Sequence, residues 1–146
     1  SDDMANNRMV ENDPKLKPIP ATDEEWRQRL DRAQFDVLRR AGTERPFTGK
    51  YVDTDDEGIY RCAACGNQLF ESDTKFHSHC GWPSFTEALP GSVELLEDRS
   101  YGMVRTEVRC ARCHSHLGHV FDDGPIERGG QRWCINSVSI DLDQEK

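Results

Sequence analysis

The sequence predicts a mainly β domain with two short N-terminal helices, on three observations. Val104, Thr106 and Val108 alternate with Arg105, Glu107 and Arg109, a period of two. Helical spacing with end signals occurs only between Thr22 and Gly42. Two C-x-x-C pairs, Cys62/Cys65 and Cys110/Cys113, punctuate the strand-rich part. A chain of 146 residues is one domain, large enough to bury a core.

Residues 1–21 are rich in Asn, Pro and scattered charge, so they are expected to form a disordered or extended arm. Residues 22–146 are expected to fold as a single domain. Thr22 can cap a first helix, with Asp23, Glu24 and Glu25 in its first turn and Trp26 and Leu30 on one face. A second helix follows, with Ala33, Val37 and Ala41 in one row, Phe35 and Leu38 beside it and Gly42 as its stop. Tyr51-Val52 and Ile59-Tyr60 flank a polar stretch ending in Gly58, which reads as a hairpin. The acidic run at 53–57 reads as a solvated loop. Asn136, Val138, Ile140 and Leu142 alternate with their neighbours and read as one last strand.

Composition narrows function by exclusion. Twenty-seven acidic against nineteen basic side chains leave a net charge of −8, which disfavours nucleic acid. No stretch approaches the ~18 apolar residues of a membrane-spanning helix. The start Ser1-Asp2-Asp3-Met4 lacks the basic and apolar segments of a secretory leader, so the expected setting is the cytoplasm.

The cysteines carry the chemistry. Each C-x-x-C turn aims two thiolates at one point, and two turns complete a tetrahedral set: Cys62, Cys65, Cys110 and Cys113 as ligands of one structural zinc. Disulfides, or a redox C-x-x-C, use the same residues differently, and His114 beside the second pair is an alternative ligand. Cys80 and Cys134 are left over. Period-two geometry puts Arg132, Cys134 and Asn136 on one side of a strand, and a guanidinium beside a thiol favours the thiolate. An inert buried cysteine is the simpler reading of Cys134 taken alone. His116 and His119 fall on opposite faces by strict alternation, and a bulge at Gly118 would bring them together.

The segments Arg132-Trp133-Cys134-Ile135-Asn136-Ser137, His116-Leu117-Gly118-His119-Val120-Phe121 and Cys80-Gly81-Trp82-Pro83-Ser84-Phe85 resemble the type B methionine sulfoxide reductases in their zinc-containing form. The likeness runs from about Thr22 to Leu142 and takes in the segment 42–49 and both C-x-x-C pairs. It implies two antiparallel sheets with helices packed outside, and reduction of methionine R-sulfoxide, chiefly in proteins. Cys134 would be the nucleophile that becomes a sulfenic acid, with Cys80 the resolving thiol and thioredoxin the reductant. His119 would be the acid and Asn136 a catalytic partner. Trp82, His116, Arg132 and Phe121 would meet the substrate. A monomer is expected, with neither nucleic acid nor membrane as partner. Trp133, where relatives usually have tyrosine, is expected to point away from Cys134. His77 and His79 find no place in the pattern. Against an enzyme stand a zinc β module that binds a ligand in an aromatic cage, and a general disulfide oxidoreductase. Only Cys134 beside Arg132 and Asn136 argues against the cage.

Overall fold

The computed structural model describes residues 12–144; the part of the expected arm at 1–11 lies outside them. Thr22 accepts from the Glu25 N–H and starts α1 (Asp23–Arg29), as its sequence predicts. Asp31 and Gln34 form a capping box at the head of α2 (Arg32–Leu38). The buried face of α2 is Phe35, Val37 and Leu38, whereas Ala33 is exposed. The helix also ends sooner than expected. Ala41, not Gly42, takes the left-handed conformation after it, and the Gly42 N–H reaches back to the Asp36 carbonyl.

Among the described residues nine strands follow: β1 (Ile59–Cys62), β2 (Gln68–Glu71), β3 (Lys75–Phe76), β4 (Ser84–Phe85), β5 (Val93–Asp98), β6 (Arg105–Cys110), β7 (His116–Phe121), β8 (Arg132–Ile135) and β9 (Ile140–Asp143). They make two antiparallel sheets, one ordered β2-β1-β9 and the other β3-β4-β8-β7-β6-β5. Their shared core is aromatic. Phe70 stacks on Phe85 at 4.4 Å, while Tyr60 and Trp133 meet the same pair edge-on. Trp133 thus faces the core, away from Cys134.

Two expected elements are corrected. Tyr51-Val52 forms a turn, and Ile59 pairs instead with β2 and β9; the hairpin closes over the Cys62–Cys65 turn. The alternation from Asn136 to Leu142 does not make one strand. A 3₁₀ turn at Ser137–Ser139 breaks it, sending β8 into one sheet and β9 into the other. Both halves keep their alternation because each still has one face on the core, which is why the pattern concealed the break.

Residues 12–20 run over the first C-x-x-C turn. The Lys17 N–H donates to the Cys65 carbonyl, Arg112 donates to the Lys17 carbonyl, and Arg61 joins Asp13 to Asp143.

Candidate active site

The six-stranded sheet turns one face to the core and the other to the site. In β8, Trp133 and Ile135 point inward, while Arg132 and Cys134 point outward and stay half-buried. Ser84 of β4 and His119 of β7 are the cross-strand neighbours of Cys134. A bulge brings the second imidazole to this face. Val108 pairs with Gly118 but Arg109 pairs with His116, so Leu117 is the extra residue. The His116 and His119 rings therefore meet edge-on, 5.4 Å apart. Gly118 lies so close to β8 that a Cβ would strike the Cys134 carbonyl, which explains a glycine between them.

Cys80 comes from the loop before β4. Its Sγ stands 3.1 Å from the Cys134 Sγ and 3.3 Å from the Ser84 hydroxyl. The Arg132 guanidinium reaches the Cys134 sulfur at 3.5 Å and is itself held by both oxygens of Asp123. The hydrogen bond from Cys134, against the pull of burial, lowers Cys80 to about 4. The same contact raises Cys134, and burial adds to it while Arg132 opposes. One proton shared between two touching sulfurs leaves the pair a monoanion near neutrality.

An open cleft of about 240 Å³ lies over the two thiols, walled by Trp82, Phe121 and Arg132, with Thr43 and Asn136 also lining it. Arg132 covers the Phe121 ring at 4.5 Å. The imidazoles sit beside the cleft rather than in its lining. A larger depression, about 450 Å³ between the helices, is lined by neither a thiol nor an imidazole.

Four acidic residues that the sequence did not single out hold these groups. Asp98 accepts from the His119 Nε2–H at 2.7 Å, and this bond, with two more from Ser100, keeps its carboxyl well below the usual range. Glu107 is buried and accepts from His116 Nδ1 at 2.6 Å and Arg109 Nε at 3.0 Å. Burial pulls Glu107 upward, but these two bonds outweigh it. Burial likewise pushes His116 down, more than Glu107 raises it, and its Nε2 is buried without a hydrogen-bond partner. Asp123 orients Arg132. Glu44 ties three pieces together: its carbonyl accepts from the Trp82 indole N–H, its N–H donates to Asn136 Oδ1, and its carboxylate accepts from the Ser137 and Val138 N–H groups. Asn136 Nδ2 donates to the Leu117 carbonyl, so both ends of that side chain are engaged by backbone. The signal for Glu107 was available, since it shares the outward phase of β6; nothing local marks Asp98, Glu44 or Asp123.

The other four cysteines are buried, with all four sulfurs within 4.8 Å of one another. Cys62 and Cys113, and Cys65 and Cys110, each stand 3.7 Å apart. Sulfurs ~2.3 Å from a tetrahedral zinc would be about 3.8 Å apart, so this donor set fits such an ion. His114 is exposed and bonded to Glu94, outside the cluster. His77 bonds Asp55 on the surface.

The site thus combines, in a doubly sheeted β domain, a four-sulfur cluster and a separate thiol pair under an indole, the parts that a thiol oxidoreductase needs. The SelR domain family matches residues 30–144. A peptide methionine sulfoxide reductase MsrB of Leifsonia xyli is 57% identical over 128 residues, covering 87% of this chain and 92% of that protein. The MsrB of Variovorax paradoxus is 56% identical, covering 86% and 96%, and that of Burkholderia vietnamiensis is 52% identical, covering 91% and 94%. Among solved structures, the Mis18 'Yippee-like' domain is similar with a TM-score of 0.50 and 20% identity, over 62% of this chain and 99% of that one, a likeness of fold alone. The chain belongs to the SelR family, the type B methionine sulfoxide reductases. It is an oxidoreductase acting on methionine sulfoxide.

Proposed function

We propose that the protein reduces methionine R-sulfoxide, chiefly within polypeptides, through a sulfenic acid on Cys134 that Cys80 resolves and thioredoxin clears. The observation that carries this reading is the 3.1 Å approach of the two sulfurs beneath the cleft walled by Trp82. At rest Cys134 donates the shared proton to the Cys80 thiolate. Passing that proton to Cys80 puts the thiolate on Cys134, where the Arg132 guanidinium steadies it. The substrate methyl packs against the indole and its oxygen faces His119, whose ring Asp98 orients. Holding the methyl and the oxygen on different groups lets Cys134 meet one face of a chiral sulfur, and the R epimer is the one that the family resemblance implies. Cys134 attacks the sulfur and takes its oxygen, and His119 supplies the proton that the oxygen needs. Methionine leaves and Cys134 becomes a sulfenic acid. Cys80 then attacks that sulfur, water departs, and a disulfide forms. A thioredoxin dithiol reduces the disulfide by exchange. Asn136 contributes by holding the chain that carries Cys134.

We assign zinc to Cys62, Cys65, Cys110 and Cys113 in a structural role, since it would join the β1–β2 turn to the β6–β7 turn. Thiol chemistry of this kind suits a reducing compartment, and the cytoplasm is the setting we assign. We also assign a monomer that works without nucleic acid or membrane.

A dabsylated mixture of both methionine sulfoxide epimers with dithiothreitol tests the reaction: the R epimer should disappear and the S epimer remain. Cys80→Ser should keep dithiothreitol-supported turnover and lose thioredoxin-supported turnover. Full thioredoxin-dependent activity in that variant would refute the internal disulfide.

A further inference from the structure

The cleft has room for one side chain of methionine size, about 240 Å³, and it is open to solvent. In a polypeptide substrate the neighbouring residues must therefore lie outside it. An extended chain advances ~3.3–3.6 Å per residue, so positions two or three away reach about 10 Å from the sulfoxide. Several exposed large hydrophobic side chains sit on loops that carry or hold the residues of the site.

Phe47 is 67% exposed, Tyr101 87%, Val104 66% and Ile126 89%. Each belongs to a loop anchored in the site. The Phe47 N–H donates to the Gly81 carbonyl, and its ring lies against Gly81, between Cys80 and Trp82. Tyr101 and Val104 lie on the loop after Asp98, which Ser100 fastens to the same carboxylate that accepts from His119. Ile126 follows Pro125, which lines a second depression together with Cys80 and Arg132. Moreover, Phe47 and Tyr101 both adopt left-handed backbone angles, φ 66° and 58°, which side-chain-bearing residues avoid. The chain holds two aromatic rings out to water in a conformation that costs energy and buries neither.

We infer that these loops form an apolar rim that binds the residues flanking the oxidised methionine, so that sulfoxides with apolar or aromatic neighbours are the preferred substrates. The inference rests on the reductase reading above and adds what the enzyme selects. Burying a flanking phenylalanine or leucine against a partly exposed ring is worth about a tenfold change in kcat/KM.

The test uses the whole protein with dithiothreitol, so that no protein reductant competes for the rim. Three substrates are compared: N-acetylmethionine R-sulfoxide amide without flanks, a peptide with alanines around the sulfoxide, and the same peptide with phenylalanine and leucine there. The expected result is a kcat/KM about tenfold higher for the apolar peptide than for the alanine peptide. In a Tyr101→Ser/Ile126→Ser double variant that ratio should fall toward one, with the flank-free amide turned over as before. Equal rates on both peptides, or a ratio untouched by the double variant, would overturn the rim. A parallel assay with thioredoxin in place of dithiothreitol reads the other occupant: a double variant that keeps the peptide ratio and loses only thioredoxin-supported turnover would overturn the rim and make the surface a reductant dock. A flank-free amide that is not reduced at all would instead sink the underlying reductase reading.

Discussion

Four of the six cysteines are buried with their sulfurs gathered together, whereas Cys80 and Cys134 lie half-exposed beside a guanidinium. The first group sits on two tight turns at strand ends. Each turn points its sulfurs inward, where the Asn67 amide and the Ser115 hydroxyl reach them, while the nearby Arg39 and Arg112 guanidinium groups donate to the Cys113 and Cys65 carbonyls. Cys134 occupies an outward position on a strand, and a loop brings Cys80 to it across Ser84. In the reading proposed above, the same side chain is thus a ligand in one place and a reagent in the other. The difference lies in how many sulfurs converge and whether a substrate can reach them. Four thiols in a closed site suit an ion; two under an open cleft suit chemistry.

The comparison can be broken most severely from the buried side. Cys110→Ser should release the metal and lower stability sharply, because structural zinc binding contributes on the order of 10 kcal/mol to folding. Metal analysis and thermal unfolding would show it, and an unchanged midpoint with full metal content would mean that this thiol is no ligand. Cys134→Ala should do the converse, abolishing turnover while metal content stays constant. It should also change the acid–base behaviour of its neighbour. With Cys80 drawn down to about 4 by Cys134, the pair's thiolate absorbance should persist as pH falls from neutrality and vanish only as pH passes through that region. In Cys134→Ala the remaining thiol should ionise in the ordinary range, near 8.5. A thiolate signal in the variant that still survives below pH ~6 would assign the depression to something other than the contact between the sulfurs.

His119→Ala should cost on the order of 10²–10⁴-fold in kcat, the usual effect of a positioned acid, and leave the metal in place. Glu44→Gln carries the smallest effect. A glutamine can accept only one of the two N–H bonds that the carboxylate receives from Ser137 and Val138. The loop bearing the Trp82 partner should then loosen, raising KM a few-fold more than it lowers kcat. Equal loss in both parameters would place Glu44 in the chemical step instead of in the substrate wall. Gly49 supports the same corner, since a Cβ there would strike both the Glu44 carboxylate and Ser137.

The sequence by itself determined what depends on short spacing. The two C-x-x-C turns, the cap at Thr22, the outward phase of Arg132 and Cys134, and the face of Trp133 each follow from neighbours within a few residues. Alternation in β6 was legible for the same reason, and so was the need for a bulge between His116 and His119. Other features required chain segments distant in sequence. That Cys80 meets Cys134 depends on β4 pairing beside β8. That Asp98 holds His119 depends on β5 and β6 extending the sheet past β7. The break at Ser137–Ser139 was invisible because both sheets reward the same period of two. Local rules specify which way a side chain points, since backbone geometry repeats over a few residues. They leave open what it points at, because strand partners are chosen by packing of the whole core.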